Sequence, residues 1–336
     1  MTTDALDRVA HRVLAPLDGL RAELLRAFGR TLAPLLSDRA RRVTTLGGVS
    51  VVVAFAMTLW MPLVLLALGP IVLGVPHLVA DMRYLVVRRG LHRRAPVMFL
   101  VVLPLVASFF VPTLELAGLA TFGAALAARG SALRRGLVAC IGLGIGFVGL
   151  RTGYGADVVF AHLHNVIAIA LWWWIRPRDH MHAFFVPALV LVLATVLVFF
   201  GTTLLTASAF TTFASVLPFS DMATTLSPFD DPHLAEIFVL LFAFGQAVHY
   251  AVWLRLMPED ARARRAPRGY TSSYASLRSE LGAMSIVVAT TLTFFVIAWA
   301  MHDVTAARDG YLRFALFHGP LEVALAGLAF AEARRP

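Results

Sequence analysis

The residues best able to do chemistry sit in the stretches where polar groups cost most. Gly74-Val75-Pro76-His77-Leu78-Val79-Ala80-Asp81 lies inside an apolar run from Pro70 to Val87. A histidine and an aspartate four apart share one face of a helix, and ionisable groups inside an apolar, membrane-length helix mark functional sites. Three later apolar stretches repeat the pattern: Ala161-His162-Leu163-His164-Asn165, Gly245-Gln246-Ala247-Val248-His249-Tyr250, and Phe317-His318-Gly319-Pro320-Leu321-Glu322. Imidazoles from separate helices bind iron, zinc or copper, and a carboxylate one turn away either ligates the ion or fixes a histidine tautomer. His77, His164, His249 and His318 are therefore assigned as metal ligands, with Asp81 and Glu322 as the carboxylates that ligate beside them or orient them for catalysis. His162 and His164 are two residues apart and point about 200° from one another on a helix, so one of them faces a shared site. His164, with Asn165 beside it, is preferred; His162, Asn165, Tyr250 and Trp253 are the alternates. Tyr250 and Trp253 flank His249 and either line a pocket or pack the core.

The elements that must hold these residues follow from composition. Of 336 residues 59% are hydrophobic and 15% charged, and the mean hydropathy of +0.78 excludes an ordinary soluble domain. The expected fold is all-α: a polytopic transmembrane helical bundle. A span needs roughly 20 apolar residues, and about ten candidates stand out: Thr45 to Gly69, Pro70 to Val87, Pro96 to Pro112, Thr113 to Ala128, Gly136 to Leu150, Asp157 to Ile175, Ala183 to Ala207, His233 to Leu256, Gly282 to Met301 and Tyr311 to Phe330.

Arginine placement gives an independent reading. The chain has no lysine, and its arginines cluster at the amino end, at Arg88 to Arg94, Arg129 to Arg135, Arg176 to Arg178, Arg255 to Arg278 and Arg334 to Arg335. Every second connection is thus basic, while the opposite ones hold only Arg151 and Arg308. The positive-inside rule then puts both termini in the cytoplasm, with a bacterial-type inner membrane as the simplest setting. On that topology the histidine-bearing spans are the second, sixth, eighth and tenth, all running from outside to inside. The net charge of +9 is spent on topology, and no nucleic-acid module is present. Without lysine there is no retinal Schiff base. A lone Cys140 in an apolar run allows no internal disulfide and is read as packing.

Residues 1–42 form a separate amphipathic segment, cytoplasmic or interfacial, ahead of a bundle spanning 43–336. Leu17, Leu20, Leu24, Phe28, Leu32 and Leu35 recur at helical spacing, with Pro16 and Pro34 as expected breaks. The segment lacks the apolar core of a secretory signal. The longest outer connection, Ser208 to Pro232, carries Phe210, Phe213, Phe219, Phe229 and three aspartates and has the makings of a lid. Trp172 to Trp174 read as an interfacial aromatic belt, and Arg83 as reaching the boundary or pairing with a carboxylate. His92, His180 and His182 fall among arginines and are read as solvated; His11, His233 and His302 are peripheral. No internal repeat of the transporter kind is found.

Gly74-Val75-Pro76-His77 followed by Asp81 resembles the Gly-x-Pro-His-x-x-x-Asp signature of the Brp/Blh family of integral-membrane β-carotene 15,15′-dioxygenases. The resemblance implies a polytopic bundle holding non-haem iron by histidines, His77 among them, and cleaving a carotenoid to retinal. The family's late His-x-x-x-His pair has no counterpart at His249, which is followed four residues on by Trp253, and its early first-span histidine is missing. His318 and Glu322 would replace that pair as His-x-x-x-Glu.

The leading expectation is a membrane oxygenase or other oxidoreductase with histidine-bound non-haem iron. It would act on a lipophilic carotenoid-like or isoprenoid substrate entering from the bilayer, with an unidentified electron donor as a possible partner. The competing readings are a haem-binding (or other transition-metal) electron-transfer protein, a proton- or cation-coupled transporter using the same His/Asp/Glu cluster, and a structural scaffold, which leaves the polar positions unexplained.

Overall fold

A computed structural model describes residues 3–110, 114–175, 184–206, 208–262 and 266–333. Among these the chain is helical, with no strand. Two amino-terminal helices, α1 (Thr3–Ala27) and α2 (Gly29–Ser37), precede the bundle. Then come α3 (Arg39–Trp60), α4 (Pro62–Val87), α5 (Ala95–Ala107), α6 (Leu114–Ala127), α7 (Ala132–Thr152), α8 (Tyr154–Ile175) and α9 (Phe185–Leu204). A short helix, α10 (Phe219–Leu226), lies in the long connection. The last three are α11 (Pro232–Asp260), α12 (Tyr270–Ala300) and α13 (Val304–Ala331).

Eight of these helices are long and apolar enough to cross a membrane. The third and fourth expected spans form helices, α5 and α6, that fall short of that length; the 14 residues of α6 rise only about 21 Å against a hydrocarbon core of about 30 Å. Their expected junction at Pro112 and Thr113 lies outside the described residues. So do the Arg176 to Arg178 and Arg334 to Arg335 clusters, His180, His182, and the ends Ala183 and Ala207 assigned to the seventh span.

Small residues let the helices approach. A Cβ on Gly118 of α6 would stand 2.4 Å from Gly146 N and 2.6 Å from Gly142 O of α7. Close backbone contact of this kind drives association where lipid removes the hydrophobic incentive. α11 is the axis of the bundle, with 61% of its most apolar stretch buried against 11% for α12, so α12 faces lipid along most of its length. The main core gathers Trp172 of α8 with Phe244, Val252, Trp253 and Leu256 of α11.

One end of the bundle is clasped by arginine. Arg42 donates from Nε to Glu259 Oε1 at 2.7 Å, and Arg262 reaches Glu259 Oε2 at 2.5 Å. Arg88 binds Glu280 Oε2 at 2.6 Å and the Ala261 carbonyl at 3.0 Å. Arg94 binds Glu332 at 2.7 Å, and the Arg129 amide donates to the same carboxylate at 3.0 Å. Among the described residues, the arginines in the first turn of α3, after α4 and α6 and at the end of α11 therefore meet at a common end. At the other end α10 and its flanks fold over α4 and α11, with Leu217, Met222 and Leu226 buried against Leu63, Leu66 and Val239.

Several expectations are corrected here. Pro16 and Pro34 do not break helices: α1 runs through Pro16 and α2 through Pro34, the interruption falling at Phe28. Trp172 belongs to no interfacial belt. It is fully buried, and its indole N–H donates to Asp260 Oδ2 at 2.9 Å. Arg308 is not in an outer connection but buried within α13. Cys140 is exposed on α7, so it packs no core. The helix of the ninth span begins at Tyr270 and turns at Gly282, whose φ of 82° suits glycine alone.

Candidate metal centre

α4 brings His77 and Asp81 into the bundle on a short regular turn, Gly74–Asp81, set between two π-helical stretches at Gly69–Leu73 and Met82–Val87. A third, Val252–Leu256, follows His249 in α11. Such π turns re-aim side chains and recur at functional sites. The upstream one has an identifiable cause: Pro70 offers no N–H to the Leu66 carbonyl four residues earlier, and the buried Arg308 Nε donates to that carbonyl at 3.0 Å instead. In α13 the helix breaks between Ala315 and His318.

Glycines make room for the rings. A Cβ on Gly74 would lie 2.2 Å from Cζ of Tyr311, one on Gly319 would lie 3.0 Å from His164 Nδ1, and one on Gly245 would lie 3.2 Å from Asn165 Cβ. The sequence therefore packs a ring or amide against a bare backbone at three of the four helices.

The four imidazoles close a ring of contacts. Successive centroids, His77 to His249 to His164 to His318 and back to His77, are 4.6, 4.6, 4.4 and 4.8 Å apart. His77 Nε2 and His249 Nε2 are 2.6 Å apart, and His164 Nε2 and His318 Nε2 are 2.8 Å apart. His318 Nδ1 is hydrogen-bonded to the Ala315 carbonyl. A carbonyl only accepts, so Nδ1 carries the proton and Nε2 turns its lone pair inward, as in histidines that bind metal.

Asp81 Oδ2 stands 3.3 Å from His77 Nε2, and Glu322 Oε2 stands 3.2 Å from His164 Nδ1. His77, Asp81, His249 and Glu322 are 0–2% exposed. Among the described residues no donor reaches the Asp81 carboxylate with hydrogen-bonding geometry, the Trp253 indole is the group turned toward Glu322, and His249 Nδ1 has no partner. Two sets of three ligand atoms, from His77, His249 and His318 and from His164, His249 and Glu322, each lie within 4.8 Å of one another.

This donor set fits a cation. Fully buried carboxylates and imidazole nitrogens facing one another are costly alone. An ion with bonds of about 2.0–2.1 Å keeps neighbouring ligands about 3 Å apart, close to the observed nitrogen separations, and either set of three could hold one, with Asp81 outside both sets.

The alternates separate clearly. His162 turns away, its Nε2 2.9 Å from the Leu226 carbonyl and its ring edge-on to Phe238 and Phe242, so it ties α8 to the connection that carries α10. Tyr250 packs edge-on to His77 at 5.2 Å. Asn165 is buried against Gly245. Trp253 is fully buried, with its indole toward Glu322. Three further residues of this region were not singled out by sequence: Tyr311, Arg308 and Gln246, the last buried with its Oε1 unpartnered. Gln246 had a signal, being one turn before His249 in an apolar helix. Arg83 pairs with Glu280 at 2.9 Å.

No family model, curated protein or solved structure matches this chain.

Proposed function

We propose that this protein is a membrane-embedded oxidoreductase built on a histidine-ligated non-haem metal centre, with iron as the metal and a lipophilic, carotenoid-like or isoprenoid molecule as substrate. The observation that carries the reading is the convergence of four imidazoles and two buried carboxylates from four helices at one point. His77, His164, His249 and His318 would hold the ion, with Asp81 and Glu322 completing its charge or holding the imidazoles. Bound iron would supply oxygen activation.

The chain's own residues do the rest. Ala315 fixes the His318 tautomer, Glu322 sits where it can accept from His164 Nδ1–H, and Tyr250 walls the His77 ring. The surrounding apolar side chains exclude water, which strengthens every charge interaction inside. The donor set favours iron over softer ions, because imidazole with carboxylate and no thiolate suits non-haem iron. Ring centroids within 4.8 Å between neighbours leave no slot for a flat porphyrin, which argues against the haem reading. The topology adopted is ten spans, with α5 and α6 as a short pair, the arginine-clasped end in the cytoplasm, and a bacterial inner membrane as the setting.

The test is metal analysis of protein purified in detergent, compared with the His77→Ala and His318→Ala variants. Near-stoichiometric iron in the parent, lost in both variants, supports the reading. Iron retained in a variant lacking all four histidines overturns the ligand assignment. A parent that binds no metal but carries proton-coupled flux makes the same cluster a relay.

A further inference from the structure

A second feature lies on the face of α4 turned away from the histidines. Pro76, Val79, Ala80 and Arg83 follow the i, i+3, i+4, i+7 pattern of one helix face, and with Trp253 and Ala289 they line an apolar cavity of about 280 Å³ between α4, α11 and α12. This is close to the lower bound of the range usual for small-molecule sites, about 300–1,000 Å³. Its outer wall is the lipid-facing helix α12, so a hydrocarbon chain can reach it from the bilayer. Its inner wall is Trp253, whose indole faces Glu322.

The rim is charged and unbalanced. Glu280 binds Arg83 at 2.9 Å and Arg88 at 2.6 Å, so one carboxylate serves two guanidinium groups. Beside the apolar cavity lies a polar hollow of about 330 Å³ lined by Arg88, Gly90, His92, Arg93 and the Glu280 carboxylate itself, with Arg93 exposed. An apolar cavity that ends at Arg83 and adjoins, across the Arg83–Glu280 ion pair, a hollow with more guanidinium groups than carboxylates is complementary to one kind of molecule.

We infer that these adjoining cavities bind an amphiphile with a terminal phosphomonoester head, its hydrocarbon chain between α4 and α12 against Trp253 and its anionic phosphate on Arg88 and Arg93. Guanidinium groups recognise phosphate by charge-assisted, bidentate hydrogen bonds. Delivery of the chain end toward Glu322 as substrate rests on the metal reading above; the binding itself does not.

The experiment is quenching of tryptophan fluorescence by a lysophosphatidic acid with a brominated acyl chain. The full-length protein in neutral detergent is measured as purified and after chelator treatment. The expected result is saturable quenching, at least tenfold tighter than for the brominated lysophosphatidylcholine and equal in both preparations. Inorganic phosphate should compete at least a hundredfold more weakly. Ala289→Phe, which fills the cavity, should abolish the quenching. Arg93→Ala, at an exposed position, should weaken the phosphatidic probe about tenfold and leave the choline probe unchanged. Equal affinity for both lipids would mean an unselective lipid groove, full competition by inorganic phosphate would mean a phosphate site alone, and unchanged binding in both variants would place the probe elsewhere. Each of these overturns the inference. Binding in the chelated protein is independent of metal, so the two readings fail separately.

Discussion

The Nε2 atoms of His77 and His249 face each other at 2.6 Å across the contact between α4 and α11, with Asp81 Oδ2 3.3 Å from the first of them. Two neutral imidazoles at this distance share one proton, and a buried carboxylate without a donor is left beside them. In the proposed reading a cation is shared by His77 and His249 with the Asp81 charge beside it, and this relationship anchors the account.

The carboxylates are expected to act through the histidines. Asp81→Asn and Glu322→Gln keep shape and remove charge, so each should lower metal affinity about 10–100-fold, the usual cost of losing a group that orients or completes a ligand set. Iron retention during competition with a chelator measures this. Unchanged retention in both variants would remove the carboxylates from the centre.

Gly319 is expected to be intolerant for a local reason. A Cβ there would meet His164 Nδ1 at 3.0 Å, so Gly319→Ala should shift that ring and reduce bound metal while leaving the helical content intact. Circular dichroism and metal content measured on the same sample separate the two effects.

Much of this arrangement was legible in the sequence because histidine and carboxylate stand out in apolar runs, and helical spacing alone says that His162 and His164 diverge. The rest was not legible, for specific reasons. The π turns around Gly74–Asp81 leave no residue signature beyond Pro70, and the partner that completes the Leu66 carbonyl, Arg308, comes from more than two hundred residues away. Trp172 sits in a run of three tryptophans that belt statistics assign to the interface, and only the position of Asp260 shows it to be inside. Continuity of α1 through Pro16 depends on how the flanking turns dock, which composition does not encode.

Arg308 should prove structural. Replacing it with leucine leaves the Leu66 carbonyl without a donor in the bundle, a loss of about 1–3 kcal/mol. A lowered midpoint in a thermal unfolding scan in detergent checks this. An unchanged midpoint would mean that the carbonyl finds another donor.

Docking of α1 should depend on acid conditions in one direction. Asp18 accepts hydrogen bonds from Thr271 Oγ1 at 2.6 Å, Thr271 N at 3.0 Å and Tyr270 N at 2.6 Å, at the start of α12. The Thr271 hydroxyl, followed by the two amides, holds the Asp18 carboxyl below its ordinary value of 3.8. A group with a depressed folded value contributes docking stability that is complete above 3.8 and lost as pH falls through the folded value. The protection of α1 amides, taken relative to their intrinsic exchange rate at each pH, should therefore be flat from neutrality to about pH 5 and fall in strong acid, and Asp18→Asn should lower it already at neutral pH. Protection that falls near pH 6 would point to another group.

The most direct test of the central claim is the metal content and visible spectrum of the purified protein, taken before any activity assay. The account predicts near-stoichiometric iron, no Soret band, and loss of the iron when His77 and His318 are replaced by alanine. Protein that stays free of metal after metal-replete expression, or a Soret band from bound haem, would contradict it.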